Sequence, residues 1–580
     1  MAERSASVPD MKAVRTAKDR YDVVILGGGL AGLTLALHLK RTRPETSVLV
    51  AEKRAEPCPE AAFKVGESSV EVGAYYYRDV VGLRDHLEEK HLRKAGLRFF
   101  MPAGDNSDIA RRVEFCSPIG VDAWTHQIDR GLYENEIYDR CVRAGVDAFR
   151  GYRVKEIDLG EDEHKVTVEH AGGMSTIAAR WVVDASGRTN LLRNKLELGT
   201  ETGHNMNAAW FRLSGGIDIE EWSDDEEWLG RMDKPGVRKL STIHMVDEGY
   251  WVWLINLATG PISVGVVADP RFHPFEEINE FDRMMDWLKE HEPQLAAEVD
   301  GRRHDVQDFL VIENFSYASE QMLSSDRWAM VGEAVGFIDA LYSPGSDFIA
   351  YANSFTHDVI TRDLEGEDVE ERLEFYNYMF FELFNPYVTL YKDNYQFFGN
   401  PQVMLAKQLV DNNAYFSTLA FLFLHDQMTD LDNLPFFLEQ LEPVIELSGR
   451  MQELFRDWHA IQNEPYEGVS TLTTEFQPMR DRTQQLTRPI EFEPMVEQLA
   501  ENAKIMQAIA IWVFHMAAKA LPEPPPEDAT INPAAISLKP ERWEEDGLFS
   551  GEGMTLAQAR EMLPGIEEFS LAERARVGAA

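Results

Sequence analysis

A short apolar run, Tyr21-Asp-Val-Val-Ile-Leu26, passes directly into Gly27-Gly-Gly29-Leu-Ala-Gly32. The run predicts a strand. Leu30, Leu33 and Leu37 recur at helical spacing and predict a helix that begins on the loop. In such a loop Gly27 permits the tight turn, Gly29 lets the backbone approach a pyrophosphate, and Gly32 lets the helix pack close to the strand. The first helical N–H groups, around Leu30 and Ala31, and the helix dipole favour an anion there. A second strand, Val48-Leu-Val-Ala51, ends in Glu52 and Lys53. An acid about 20 residues past the loop accepts hydrogen bonds from ribose hydroxyls and disfavours a 2′-phosphate. Strand, loop, helix, strand and acid in this order read as a dinucleotide-binding βαβ unit. By itself the unit allows either FAD or NAD.

The chain is 580 residues long, more than one compact core holds, and the length suggests roughly two to four domains. Its net charge of −42 repels phosphate backbones and anionic lipid headgroups, so nucleic-acid and membrane-surface binding are disfavoured. Cys58, Cys116 and Cys141 match neither a zinc site nor a disulfide framework, and no metal site is expected. Three thiols suit a reducing cytoplasm. Residues 1–20 are polar, lack a signal-peptide core, and read as a flexible tail. The most apolar run, Met506 to Ala518, is too short to span a bilayer and reads as a buried helix.

Residues 21–350 form the expected nucleotide-binding domain. Short β-rich runs between about residues 98 and 270 predict an inserted, partly antiparallel sheet: Lys165–Glu169, Ile177–Asp184, Ser241–Met245, Tyr250–Leu257 and Ile262–Ala268. Residues 351–521 read as a helical, substrate-side domain. Pro522 to Pro533 reads as a linker or extended arm, leading into a tail with weak helical signals. The fold class is therefore α/β, a Rossmann-type domain with an inserted mixed or antiparallel sheet and a mostly helical C-terminal region.

Two later stretches favour FAD. Trp181-Val-Val-Asp-Ala-Ser-Gly187 is a strand entering a small-residue turn, suited to the adenosine end of the ligand. Trp328-Ala-Met-Val-Gly-Glu333, followed by Asp339, is another strand end, and its Gly332-Glu333 pair suits the ribityl chain of a flavin. The pattern resembles the flavoprotein aromatic hydroxylase and halogenase superfamily, with Gly332-Glu333 where a Gly-Asp pair is usual.

Within that superfamily the chain resembles the flavin-dependent halogenases. Val65-Gly66-Glu67 resembles the segment that runs beside the isoalloxazine, and the same resemblance places Gln127 at the cofactor. Lys94, before the apolar run Leu97-Arg-Phe-Phe100, matches the family's catalytic lysine by position. In an apolar tunnel its charge is destabilised and its pKa falls. A surface lysine at a helix end is the plainer alternative. Trp251-Val-Trp253-Leu-Ile255-Asn256 looks like the family's Trp-x-Trp-x-Ile-Pro signature, with Asn256 in place of proline, and Ser263-Val-Gly-Val-Val267 follows as in the family. Alternation puts Trp251, Trp253 and Ile255 on one face.

Phe337-Ile-Asp-Ala-Leu-Tyr-Ser343-Pro-Gly345-Ser346 resembles the stretch over the flavin that binds chloride on backbone amides. Pro344 has no N–H to offer, which leaves Gly345 and Ser346. Tyr342 stands where tryptophan-specific members carry a catalytic glutamate, so a phenol-type or carrier-bound aromatic is the expected substrate rather than free tryptophan.

The resemblance implies that reduced FAD and O2 oxidise halide and that Lys94 positions the product for attack by the substrate ring. The flavin carries the hard chemistry and the protein supplies binding and electrostatics. The sequence shows no second glycine fingerprint, which fits a separate flavin reductase, although single-component hydroxylases also lack that second unit. Pro344 and Asn256 keep a rival open, a monooxygenase or other oxidoreductase that uses no halide.

Overall fold

The computed structural model describes residues 16–59, 65–116, 124–232, 234–462, 471–473 and 477–571. The tail expected over residues 1–20 lies mostly outside the described residues, as do Phe63 and Lys64 before the Val65-Gly66-Glu67 segment.

A seven-stranded sheet carries the nucleotide-binding unit. Its order is Asp147–Arg150, Val48–Glu52, Arg20–Leu26, Gly173–Asp184, His164–His170 and Arg153–Asp158, with Trp328–Met330 joined to Gly173–Asp184. Arg20–Leu26 lies parallel between Val48–Glu52 and the end of Gly173–Asp184. Val23, Val24, Ile25 and Leu26 are fully buried, as a parallel strand covered on both faces requires. The long strand Gly173–Asp184 serves two neighbours. Its exposed first half pairs antiparallel with His164–His170, and its buried second half runs parallel to Arg20–Leu26.

The inserted sheet has eight strands, in the order Val306–Ile312, Asn207–Leu213, Ile262–Ala268, Tyr250–Asn256, Thr242–Asp247, Leu97–Phe100, Glu114–Cys116 and Thr471–Thr473. It is antiparallel except where Thr242–Asp247 meets Leu97–Phe100 and where Thr471–Thr473 meets Glu114–Cys116. Alternation along its strands feeds two separate cores. Trp251, Trp253 and Ile255 join the core shared with the nucleotide-binding unit. Tyr250, Val252 and Leu254 join a second core against helices Phe281–His291 and Pro293–Asp300. Both faces are buried, so the sheet acts as a rigid partition.

Long helices follow: Gly345–Glu365, Glu370–Tyr391, Pro401–Ser417, Leu434–Ile461 and Phe492–Ala518. Met506, Ile509, Ile511, Val513 and Phe514 are buried in the last of these, as their run of apolar residues predicts. No helix among the described residues is long and apolar enough to cross a membrane. The strand Thr471–Thr473 interrupts the expected helical stretch, because the open edge at Glu114–Cys116 takes a parallel partner. From Ile531 onward the chain packs back onto the molecule. Ile531, Leu548, Leu556, Leu563, Ile566 and Phe569 are buried, and Trp512 Nε1 donates to Glu567 at 3.0 Å.

The inserted sheet is stapled by a buried charge cluster. Glu114 lies between Arg98 and Arg238, all three with fully buried side chains. It accepts from Arg238 at 2.9 and 3.1 Å, from Trp228 Nε1 at 3.1 Å, and from Arg98. Removing its charge leaves two buried guanidinium groups facing each other. Glu114→Gln is therefore expected to lower the unfolding free energy by roughly 3–5 kcal/mol, read by denaturant titration.

Candidate active site

The glycine loop folds as its spacing predicts. Gly27 sits at φ +123°, and a Cβ there would lie 2.4 Å from the Ala185 carbonyl oxygen. Gly32 faces Ile25 and Ala185, so helix Leu30–Thr42 lies directly on the sheet. Gly29 caps that helix without any side-chain bond to the first N–H groups. Glu52 Oε2 accepts from Gly28 N at 2.8 Å and Oε1 from Arg54 N at 2.7 Å. The acid thus holds the loop as well as standing at the expected ribose position.

A cavity of about 750 Å³ opens over this loop. Gly27, Gly29, Leu30, Ala31, Glu52, Lys53, Val65, Gly66 and Glu67 line it, together with Gly332, Glu333, Asp339, Gly345 and Ser346 from much further along the chain. Fourteen sequence-predicted residues therefore meet at one cavity. Gly32 stays behind as a packing contact. Gln127 is buried off the wall, with Nε2 donating to the Leu240 carbonyl at 3.1 Å.

Three of the predicted cofactor contacts have other partners. The Asp339 carboxylate accepts from Leu341 N at 2.9 Å and Tyr395 Oη at 2.6 Å, and lies 2.7 Å from His204 Nε2. Its oxygens brace the strand end rather than reach outward. Glu333 pairs with Arg188 at 3.3 Å. Glu67 is buried against Arg212 at 2.6 Å; burial pushes its carboxyl up and the guanidinium opposes the shift.

The cavity suits FAD. Lys53, Arg54, Arg130, Arg153, Lys155 and Arg188 on its wall concentrate positive charge in a strongly acidic chain, as a pyrophosphate needs. Lys53 is expected from the sequence; the other five carry no motif, and the fold brings them together. Four wall residues hold buried polar atoms with no partner among the described residues: Tyr77 Oη, Arg130 Nε, Trp210 Nε1 and His244 Nδ1. A polar ring system would satisfy such groups.

Trp251, Trp253 and Ile255 reach this same cavity from the inserted sheet. Trp251 Nε1 donates to Tyr395 Oη at 2.8 Å and Trp253 Nε1 to Ser263 Oγ at 3.1 Å. The indoles are thereby fixed as a floor. Gly265 makes room for one of them, since a Cβ there would lie 2.2 Å from the Trp253 ring. Asn256, at the expected proline, exchanges two bonds with the Ile217 backbone at 2.9 and 3.0 Å.

Lys94 lines a second cavity of about 520 Å³. It is 4% exposed, which excludes the surface-lysine alternative. Its Nζ donates to Ser68 Oγ at 2.8 Å and to the Ser69 carbonyl at 2.9 Å. Ser68 and Ser69 line the first cavity, and Ser343 Oγ donates to Ser68 at 3.0 Å. Pro344 lines both cavities. Burial pushes the Lys94 ammonium down to about 8, against the opposing pull of Glu71 and Asp347. The remaining wall comes mostly from the helices after residue 345, including Leu383, Tyr387, Asp411, Tyr415 and Ser448. Tyr342 donates to Asp411 at 2.9 Å, and Asp411 also holds buried Lys407 at 2.7 Å.

Comparison with known proteins agrees with this arrangement. Residues 20–260 match the family profile described as FAD binding domain. A flavin-dependent halogenase of Dictyostelium discoideum is 26% identical over 440 residues, covering 69% of this chain and 70% of its own length. The tetracycline 7-halogenase of Kitasatospora aureofaciens is 27% identical over 353 residues, covering 56% of this chain and 60% of its own. Among solved structures, halogenase PltM in complex with phloroglucinol and FAD superimposes with a TM-score of 0.61 at 16% identity, covering 84% of this chain and 96% of that one, a likeness of fold. The protein is an FAD-dependent enzyme. Its sequence is similar to flavin-dependent halogenases over 56–69% of its length.

The loop geometry makes a direct prediction. Gly27→Ala adds a Cβ against the Ala185 carbonyl at a φ that disfavours side chains. FAD binding is expected to weaken roughly 10–100-fold, equivalent to about 1–3 kcal/mol of strain, by flavin fluorescence titration of the folded variant.

Proposed function

We propose that the protein halogenates an electron-rich aromatic of phenol type, free or carrier-bound, with Lys94 as the catalytic residue. The observation that carries this reading is the position of Lys94. It faces one cavity while its two anchors, Ser68 and Ser69, line the other. The first cavity would hold FAD on the Gly27–Gly29 loop, Glu52 and the surrounding basic residues. Bound there, reduced FAD with O2 supplies the oxidising equivalents for halide.

The rest falls to the chain's own residues. Gly345 and Ser346 open helix Gly345–Glu365, and their N–H groups have no acceptor among the described residues, which suits a halide. A protonated lysine has three donors. Two are used on Ser68 and Ser69, and the third donates to the oxygen of hypohalous acid in the second cavity. That bond polarises O–X and stabilises the departing hydroxide, a charge-assisted role that a water-poor cavity strengthens. Trp251, Trp253 and Ile255 keep the organic substrate out of the first cavity.

Related enzymes support an aromatic substrate. Two curated relatives are named for pyrrole-2-carbonyl groups on a peptidyl carrier protein, and one solved neighbour holds phloroglucinol. A separate reductase supplying reduced flavin, and a cytoplasmic setting, complete the proposal.

A specific observation favours a second reading, hydroxylation without halide. Pro344 stands between the two cavities and has no N–H, so one amide that would hold halide is missing.

The deciding assay supplies reduced FAD and a panel of phenols and indoles, with and without chloride or bromide, and reads product mass. Halogenated product that requires halide is expected; hydroxylated product independent of halide overturns the reading. Lys94→Met is expected to abolish halogenated product while leaving FAD bound. Because the ammonium form is the donor, turnover is expected to fall as pH rises through about 8, read from a pH–rate profile.

A further inference from the structure

The second cavity contains four carboxyl groups, from Glu71, Asp347, Glu382 and Asp411. Two are already occupied. Asp347 accepts from Gly73 N at 2.8 Å and Tyr415 Oη at 2.9 Å. Asp411 accepts from Tyr342 and Lys407 through one oxygen and from Gln452 at 2.9 Å through the other. Glu382 stands at the exposed rim. Glu71 differs from all three. It is half-buried, and beyond its own backbone no group among the described residues donates to its carboxyl.

Its placement is closely determined. Glu71 follows two residues after Ser69, whose carbonyl holds Lys94, so one short segment carries both the lysine's anchors and this acid. The turn Glu71–Tyr75 is pinned at its start, since Val72 N donates to Tyr415 Oη at 3.1 Å and Gly73 N to Asp347. Charge and burial act on Glu71 in opposite directions. Burial favours its neutral form, while the Lys94 ammonium favours the carboxylate. A carboxylate in that balance is a better base than one in water.

We infer that Glu71 accepts the hydroxyl proton of a phenolic substrate as its ring attacks the hypohalous acid held by Lys94. The inference rests on the halogenase reading and names the substrate class, a neutral phenol. In the step, the phenol O–H bond breaks and a carboxyl O–H bond forms. The ring's electron pair forms the carbon–halogen bond, and the O–X bond breaks with hydroxide leaving. The ring carbon is oxidised and the halogen reduced. The ring C–H proton is then lost to the hydroxide, giving water, and Glu71 returns its proton to the phenolic oxygen. The sum is phenol plus hypohalous acid giving halophenol plus water. Deprotonation raises the ring's electron density at the positions ortho and para to oxygen.

Two measurements on the FAD-loaded enzyme test this. First, Glu71→Gln is expected to lower the ratio of turnover on a phenol to turnover on its methyl ether, which has no proton to give, by roughly 10²-fold or more. Glu71→Asp should restore part of it. An unchanged ratio overturns the inference, because a merely structural loss affects both substrates alike. Second, 4-nitrophenol bound to the wild-type holoenzyme is expected to appear as nitrophenolate, by difference absorbance, at a pH where the free compound is neutral, and to appear neutral in Glu71→Gln. Equal ionisation in both proteins, or no binding to the wild type, overturns it. If no halogenated product forms with the wild type, the halogenase reading fails, and the nitrophenol comparison still decides the role of Glu71.

Discussion

Burying a lysine ammonium costs several kcal/mol after relaxation, and the surroundings of Lys94 are arranged to offset that cost. Ser68 Oγ and the Ser69 carbonyl accept two of its N–H hydrogen bonds, while Glu71 and Asp347 supply opposite charge nearby. These groups tie the lysine to several parts of the fold. Ser68 and Ser69 follow the Val65-Gly66-Glu67 segment, and Ser68 is also tied to Thr242 on the inserted sheet at 2.9 Å. Asp347 sits in the first turn of the helix that begins at Gly345. The lysine therefore draws the nucleotide-binding unit, the inserted sheet and the C-terminal helices to one point.

The inserted sheet makes that meeting rigid. Both its faces are buried, in separate cores, so a slip of one residue in any strand would carry Trp251 and Trp253 into the wrong core. The indoles are then locked by Tyr395 and Ser263. Tyr395 also donates to Asp339, which explains why the Asp339 carboxylate turns inward. A residue that resembles a cofactor contact in sequence here anchors the wall that shapes the cofactor's cavity.

What the sequence made legible follows from how local each signal is. The Gly27–Gly32 loop, Glu52, the alternation of Trp251, Trp253 and Ile255, and the apolar run at Met506–Ala518 each state their structure within a few residues, and each lies where its spacing predicts. Strand Ile262–Ala268 begins and ends where its pattern of residues does. Non-local features were hidden. Apart from Lys53, the basic residues around the first cavity carry no motif, and the parallel pairing of Thr471–Thr473 with Glu114–Cys116 joins segments far apart in the chain. The proline-rich stretch at residues 522–533 is mostly exposed, and what its sequence does not show is that the chain beyond it returns to helix Phe492–Ala518, where Trp512 donates to Glu567.

The second cavity draws on the least local part of the chain. The matched FAD-binding region ends at residue 260, whereas Tyr387, Asp411, Tyr415 and Ser448 of the second cavity come after it. There Tyr342 is held by Asp411, which is itself held by Lys407 and Gln452, both fully buried. Such a network is costly unless every member is satisfied, and so it fixes one shape for the cavity floor. With Tyr342 and Asp411 bonded to each other and Asp347 bonded to Tyr415, the polar groups of that floor are matched internally. Lys94 and Glu71 keep bonding capacity for a ligand, a donor and an acceptor held close together because the segment that carries Glu71 also anchors the lysine. A neutral ring that carries a hydroxyl satisfies the acceptor without adding charge, while an aryl carboxylate would set a second anion beside Glu71 at the repulsion that like charges suffer in a poorly hydrated site.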